Sequence, residues 1–533
     1  MTTPTLLAPR RNRRGNTKRP SWLLIVLVGA VTLVFVSPLA YLVLGALSGG
    51  RFWEILTSEA IRQPLFNSLV LGTSVAVLTS LVGTGLAVLV SRTDLPGRRF
   101  WRVALALPLV IPSFVGATAL LAATGRGGLL AAIPTPTGFW GAFAVLSLFS
   151  YPYVYLPVLA RLSATSPSVE EASRLLGKPA FVTVVRVLLP QLRTAIVGGG
   201  LLVFLYVLSD FGAVSLLRFD TLTRVIYASR LLDRDLSLTL GLILAILALA
   251  VTLLARGTVE TSVPQVTRAR ARGVYQLARW RMAGLVAVAV PVFFGIVAPV
   301  AVFLVWVFRG SATIGVGYSG WGDDLSFLAS PLAGSTVAAI CAGLAAVVIT
   351  LPVAFAVVRR SGRLVRLAGS VVTSVFALPG LVVALALVSW VINAPSAFGA
   401  FYQTFPLLIL GYVLHFGAQS LRSSQSALGS VPPRFDEAAA TLGATTSRRF
   451  VSIDLPLVLP GLLAAGGLVL LSTLKELPAT LILAPIGFET LATVIWNAAE
   501  DGFYAQVGIT SLALILLSAV LTWALVLRRE LSR

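Results

Sequence analysis

Apolar residues in this chain arrive in long unbroken runs, without the narrow stripe of a soluble amphipathic helix or the alternation of a half-buried strand. Leu23 to Leu47 and Met282 to Phe308 carry no charged residue, and each exceeds the roughly 20 residues that cross a bilayer core. Twelve such runs are predicted, near 22–47, 66–91, 103–123, 139–160, 194–217, 236–256, 282–308, 332–358, 367–391, 401–421, 458–483 and 506–527. Each should be a helix, because lipid offers no partner to the open edges of a sheet. The expected fold class is an all-α integral membrane protein.

The polar gaps between runs orient it. Only 11% of the 533 residues are charged, against roughly a quarter in soluble proteins. The net charge of +21 comes from clusters in alternate gaps: Arg10 to Arg19, Arg92 to Arg102, Arg161 to Arg193, Arg256 to Arg281, Arg359 to Arg366, Arg422 to Arg449 and Arg528 to Arg533. Basic loops retained in the cytoplasm give this alternation, so both termini are expected inside a cell inner membrane. The excess charge then needs no nucleic acid, and none is expected, since the usual basic face interleaved with aromatics is missing. The organisation expected is a basic tail over 1–21, one membrane half over 22–256, a polar linker over 257–281 and a second half over 282–533. The single cysteine, Cys341, excludes a disulfide within the chain.

The two halves share a repeat. Residues 170–190 read EEASRLLGKPAFVTVVRVLLP and residues 436–456 read DEAAATLGATTSRRFVSIDLP. Without a gap, Glu171 falls on Glu437, Ala172 on Ala438, Gly177 on Gly443 and Pro190 on Pro456. Pro167 likewise meets Pro433, and Asp210 meets Glu476. An offset near half the chain length is what duplication leaves, and it predicts two pseudo-equivalent six-helix halves.

Each copy lies in a basic gap and reads as a short helix. Pro167 and Pro433 suit its first position. Glu170 and Glu171, or Asp436 and Glu437, follow in the first turn, where the helix dipole favours them. Ala172 and Ser173, or Ala438, Ala439 and Ala440, give a face that another protein can approach closely. Gly177 and Gly443 permit a left-handed cap.

These residues resemble the EAA loop of ABC importer permeases: E-A-A, a glycine six residues after the glutamate, and L-P nineteen residues on. Ser173 departs from the pattern where a second alanine is usual. The resemblance implies that each loop is a coupling helix seated in an ATP-binding subunit. It further implies two copies of that ATPase, which would carry the ATP and Mg, and a periplasmic or lipid-anchored solute-binding protein. No cofactor is expected on this chain, which has no G-x-x-x-x-G-K-[ST] phosphate loop; an enzymatic role is not expected. The stretches SDFGAVSLLRFDTLTRVIY (209–227) and KELPATLILAPIGFETLATVIWNAAEDG (475–502) look like the corresponding parts of fused ferric-iron importer permeases. Thiamine, polyamine and phosphonate permeases are close relatives and stand as alternatives. A secondary transporter of the major-facilitator kind is the rival class, faintly suggested by Arg92 to Arg99, but it would not need the loop twice.

Asp210 and Glu476 are candidate pathway residues, with Lys475 beside them. Sixteen residues from Thr194 place Asp210 about 24 Å along a core of roughly 30 Å. A carboxylate there should turn away from lipid. Both readings stay open: acidic groups facing across the pseudo-axis, suited to a hard cation that favours oxygen ligands, or charges at helix ends. Lys475 should not pair with Glu476, since helix neighbours diverge. His415 is expected to be a packing residue with no carboxylate nearby.

Overall fold

The computed structural model describes residues 22–164, 168–256, 275–313, 326–360, 362–393, 399–432, 435, 438–439, 441–443 and 445–527. The expected tail over 1–21, most of the linker, and Pro167, Pro433, Asp436 and Glu437 lie outside the described residues.

Uncharged runs become long helices. Those that frame the first half are α1 (Trp22–Ser48), α2 (Glu59–Arg92), α3 (Ser113–Thr124), α4 (Pro152–Ala164), α5 (Ser168–Leu175), α6 (Leu189–Ser209), α7 (Gly212–Leu216) and α8 (Arg234–Arg256). The second half contains α9 (Ala298–Thr313), α10 (Ser326–Arg359), α11 (Gly380–Asn393), α12 (Phe405–Gly429), α13 (Leu455–Thr473), α14 (Pro478–Leu483), α15 (Leu491–Glu500) and α16 (Tyr504–Thr522). With 34 residues, α2 runs about 50 Å at 1.5 Å per residue, so it overreaches a hydrocarbon core of roughly 30 Å.

Among the described residues, nine helices are long and apolar enough to cross a membrane, or eleven if two sharply bent pairs each count as one span. The run predicted over 401–421 becomes α12, which carries His415, Gln419 and Arg422 and falls outside that set. Four predicted runs are broken, where the sequence suggested continuous helices. Arg98–Val110 meets Ser113–Thr124 at 88°, and Arg363–Val375 meets Gly380–Asn393 at 111°. Pro112 and Pro379 stand at those corners, where proline withholds an N–H and clashes with the preceding turn. The run over 194–217 stops at Ser209 and restarts as α7, and that over 458–483 stops at Thr473 and restarts as α14.

The repeat is visible in geometry. Leu222 N–H donates to Ser68 Oγ at 2.9 Å, and Leu491 N–H to Ser335 Oγ at 2.8 Å. A single π-helical turn follows each repeated loop, at Val184–Leu188 and Phe450–Asp454. Each half's opening helix crosses onto the other half. In α1, Val28 and Phe35 pack in the core of α10, α11 and α12. In α9, Val302 packs with Ala122 and Ala123, and Trp306 Nε1 donates to Ala122 O at 2.8 Å. Small residues let helices close up: a Cβ on Gly343 of α10 would stand 2.6 Å from Gly466 O of α13, the close approach typical of membrane interfaces.

Candidate functional site

The first repeated loop forms α5 at one end of the bundle, and its two acidic residues diverge. Glu171 is exposed, while Glu170 is buried. Consecutive helical positions differ by about 100°, so one carboxylate turns in and its neighbour out. Glu170 Oε1 accepts from Arg92 Nε at 2.9 Å, and Glu170 Oε2 accepts from the Tyr275 hydroxyl at 3.3 Å. Arg92, in the last turn of α2, is 1% exposed and also donates from Nη2 to Leu162 O at 3.1 Å. Breaking such a buried pair by removing one partner typically loses about 3–5 kcal/mol. Burial, then the Glu170 carboxylate, raises the Tyr275 phenol above its ordinary pKa, so it remains a donor.

The helix ends as its glycine dictates. Gly177 takes φ +73 and Gly443 φ +72. Lys178 N–H donates to Ser173 O at 3.2 Å and Gly177 N–H to Arg174 O at 2.9 Å, the paired bonds of a Schellman end. Ser173, the departure from E-A-A, shares a 2.9 Å hydrogen bond with Thr183, so its hydroxyl ties α5 to the chain beyond the turn. Outward face Glu171, Ala172, Leu175 and Leu176 in the first copy, and Ala438 and Leu442 in the second; Ala439 is buried. The leucines were missed from sequence. Leu176 is 77% exposed and Leu442, its counterpart in the repeat, 87%. Their signal was the leucine before the glycine in both copies.

The candidate pathway residues sit at the helix breaks. Asp210 follows α6, and its carboxylate turns onto its own half. It accepts from the Ser113 hydroxyl, and from the N–H groups of Ala213 at 3.0 Å and Val214 at 3.3 Å, at the start of α7. Glu476 repeats this, accepting from Ala479 N–H at 3.1 Å. Lys475 leaves its neighbour and reaches the other half, its Nζ donating to Leu109 O at 3.2 Å. One expectation is corrected. His415 does have a carboxylate nearby: its Nε2 lies 3.8 Å from Glu476 Oε2, because α12 packs against α11 and α14 and brings together residues far apart in the chain. The halves also meet through rings: Phe211 lies 5.0 Å from Trp496, centroid to centroid and tilted by 33°, while Tyr227 of its own half stands 4.5 Å away. Among the described residues, no three His, Cys, Asp or Glu side chains gather as a metal-binding group.

Comparison with known proteins matches this architecture to one family model, binding-protein-dependent transport system inner membrane component, twice: over residues 80–268 and 346–529. The Fe(3+)-transport system permease protein FbpB 2 of Haemophilus influenzae is 30% identical over 512 residues, covering 94% of this chain and 97% of that protein. The ferric transport system permease protein FbpB of Actinobacillus pleuropneumoniae is 25% identical, covering 88% of this chain and 71% of that one. The molybdenum transport system permease protein ModB of Mycobacterium tuberculosis is 28% identical, but covers 44% of this chain with 94% of its own length. A relative of that size corresponds to about one half.

Proposed function

We infer the function from one premise: the chain belongs to the family of binding-protein-dependent transport system inner membrane components. It is the membrane permease of an ABC importer, with two family domains fused in one polypeptide. The solute we propose is ferric iron, which rests on the printed names of full-length relatives. Thiamine, polyamine and phosphonate remain the substrates to compete against it.

In our reading the chain crosses the membrane twelve times, α12 included, with both termini in the cytoplasm. Both repeated loops then lie on the cytoplasmic side, and each docks one copy of an ATPase. The observation that carries this is the outward-facing tip of Glu171, Ala172, Leu175 and Leu176 on a helix whose inner face is anchored. Exposed leucines on the water side of a membrane protein are a surface for a protein partner, and Glu171 offers that partner a charge. A solute-binding protein would deliver cargo at the opposite face. ATP closure on the ATPases would draw the loops together and part the halves at the seam of Phe211 and Trp496. Lys475 would release Leu109 in the same step. Asp210 and Glu476 would hold the broken helices that border this seam.

The test is uptake of radioactive ferric iron by proteoliposomes containing this chain, its co-purifying ATPase and its binding protein. Competition by excess unlabelled ferric iron, but not by thiamine, spermidine or a phosphonate, supports the iron reading. Competition by one of the others replaces it.

A further inference from the structure

The sequence treats the segment before the second half as a generic polar connector, yet its last residues are built into the first half. Tyr275 pairs with Thr93 as a parallel bridge, with Tyr275 N–H donating to Arg92 O at 2.7 Å and Asp94 N–H donating to Tyr275 O at 3.1 Å. Two residues on, Leu277 N–H donates to Asp94 Oδ1 at 2.8 Å, and Arg281 pairs with Asp94 Oδ2 at 2.5 Å. The Tyr275 ring lies under the Arg174 guanidinium of α5, 5.5 Å from its centroid, and its hydroxyl reaches Glu170 of the same helix. Backbone pairing therefore fixes Tyr275 to the end of α2, and its side chain holds α5 at two points.

An eight-residue helix has little stability alone, since isolated helices are marginal below about 12–15 residues. Its pose must come from what anchors it. For α5 the anchors are Arg92 and Tyr275 on Glu170, Tyr275 under Arg174, and Thr183 on Ser173. Two of the four belong to the linker, and a linker between two halves occurs once.

We propose that Tyr275 to Arg281 form a clamp that sets the pose of the first docking helix, with Tyr275 and Arg92 as positioning residues, so that the two ATPase copies meet unequal docking sites. The proposal rests on the docking role given to the repeated loops. Under it, the first loop is held by the connector to the second half, and any strain between the halves reaches that loop directly. Among the described residues, the second loop receives no such tie from the linker.

The experiment uses the full complex with this chain's single cysteine removed (Cys341→Ser) and partner subunits freed of reactive cysteines. A reporter cysteine is placed at Leu176→Cys or, separately, at Leu442→Cys, and joined to ATPase lysines with a maleimide–succinimidyl ester reagent. The expected result is that Tyr275→Ala lowers the cross-link yield at 176 several-fold and leaves the yield at 442 unchanged. Solute moved per ATP should fall in parallel. Tyr275→Phe, which keeps the ring under Arg174 and removes only the hydroxyl, should give an intermediate loss. A general folding defect would instead lower both yields together. Equal change at both positions, or none at 176, overturns the clamp while leaving docking intact. If the parent complex cross-links at neither position, the docking role fails and takes the clamp with it.

Discussion

Removing the Asp210 carboxylate separates a structural role from an electrostatic one. Its oxygens accept from the Ser113 hydroxyl and from the N–H groups of Ala213 and Val214. The two N–H groups lie where α6 has ended and α7 begins, and Ser113 opens α3. Asp210→Ala deletes the acceptor and leaves a buried hydroxyl and two helix-end N–H groups without it. Losing such a cap typically costs about 0.5–2 kcal/mol, and orphaning a buried hydroxyl about 1–3 kcal/mol more. The alanine variant should therefore lose about 1.5–5 kcal/mol of stability. Asp210→Asn keeps a carbonyl oxygen for Ala213 and Val214 and presents an N–H to Ser113 Oγ, so it should lose only about 1 kcal/mol. The assay is thermal inactivation of the purified permease in detergent, followed by uptake measured per correctly assembled complex. Alanine should inactivate at clearly lower temperature, with asparagine close to the parent in both stability and uptake. An asparagine variant as stable as the parent that no longer imports would refute this reasoning, since only charge would then have been removed.

Three further outcomes follow from the geometry. Gly443→Val puts a β-branched residue at φ +72 where nothing crowds a Cβ. The penalty is therefore conformational, at least about 1–2 kcal/mol, and substrate-stimulated ATPase activity should lose its coupling to transport. Ser68→Ala and Ser335→Ala remove the same hydrogen bond in the two halves, so each should lower thermal stability by about 1 kcal/mol, and unequal losses would show the halves to be energetically distinct. Asp94 has its pKa lowered, first by its hydrogen bond from Arg281 and then by that from Leu277 N–H. A carboxylate of depressed pKa contributes fully above its unfolded value and less as pH falls through the folded one. Protease cleavage near Tyr275 should therefore rise only below the usual carboxylate range, and Asp94→Asn should abolish that pH dependence.

Much of the fold was legible because lipid imposes a simple rule on composition. A run such as Leu23 to Leu47 has one stable outcome in a bilayer, and α1 is that outcome. The breaks were less legible. Within 194–217 hydropathy hardly changes, and what stops α6 is a side chain choosing to cap the next helix, a choice visible only once Ser113 and Ala213 are in place. The loop glycines were readable because a left-handed turn has few other occupants. Which of Glu170 and Glu171 points inward was not, since it depends on where Arg92, 78 residues earlier, finishes its own helix. His415 and Glu476 meet through the packing of α12 against α14, and no spacing rule announces that. Tyr275 sat in a segment whose composition fits any connector, so its pairing with Thr93 left no trace in the sequence.

On the proposed function, this chain moves solute only when an ATPase works through its two repeated loops. The most direct measurement is ferric-iron uptake into sealed proteoliposomes, comparing the chain alone under a proton or sodium gradient, the full complex with ATP, and the full complex carrying both Glu171→Ala and Glu437→Ala. The chain alone should take up no iron, and the complex should import it only with ATP. The double variant should assemble yet transport far less per ATP hydrolysed. Gradient-driven uptake by the chain alone, or a double variant coupled as tightly as the parent, would contradict it.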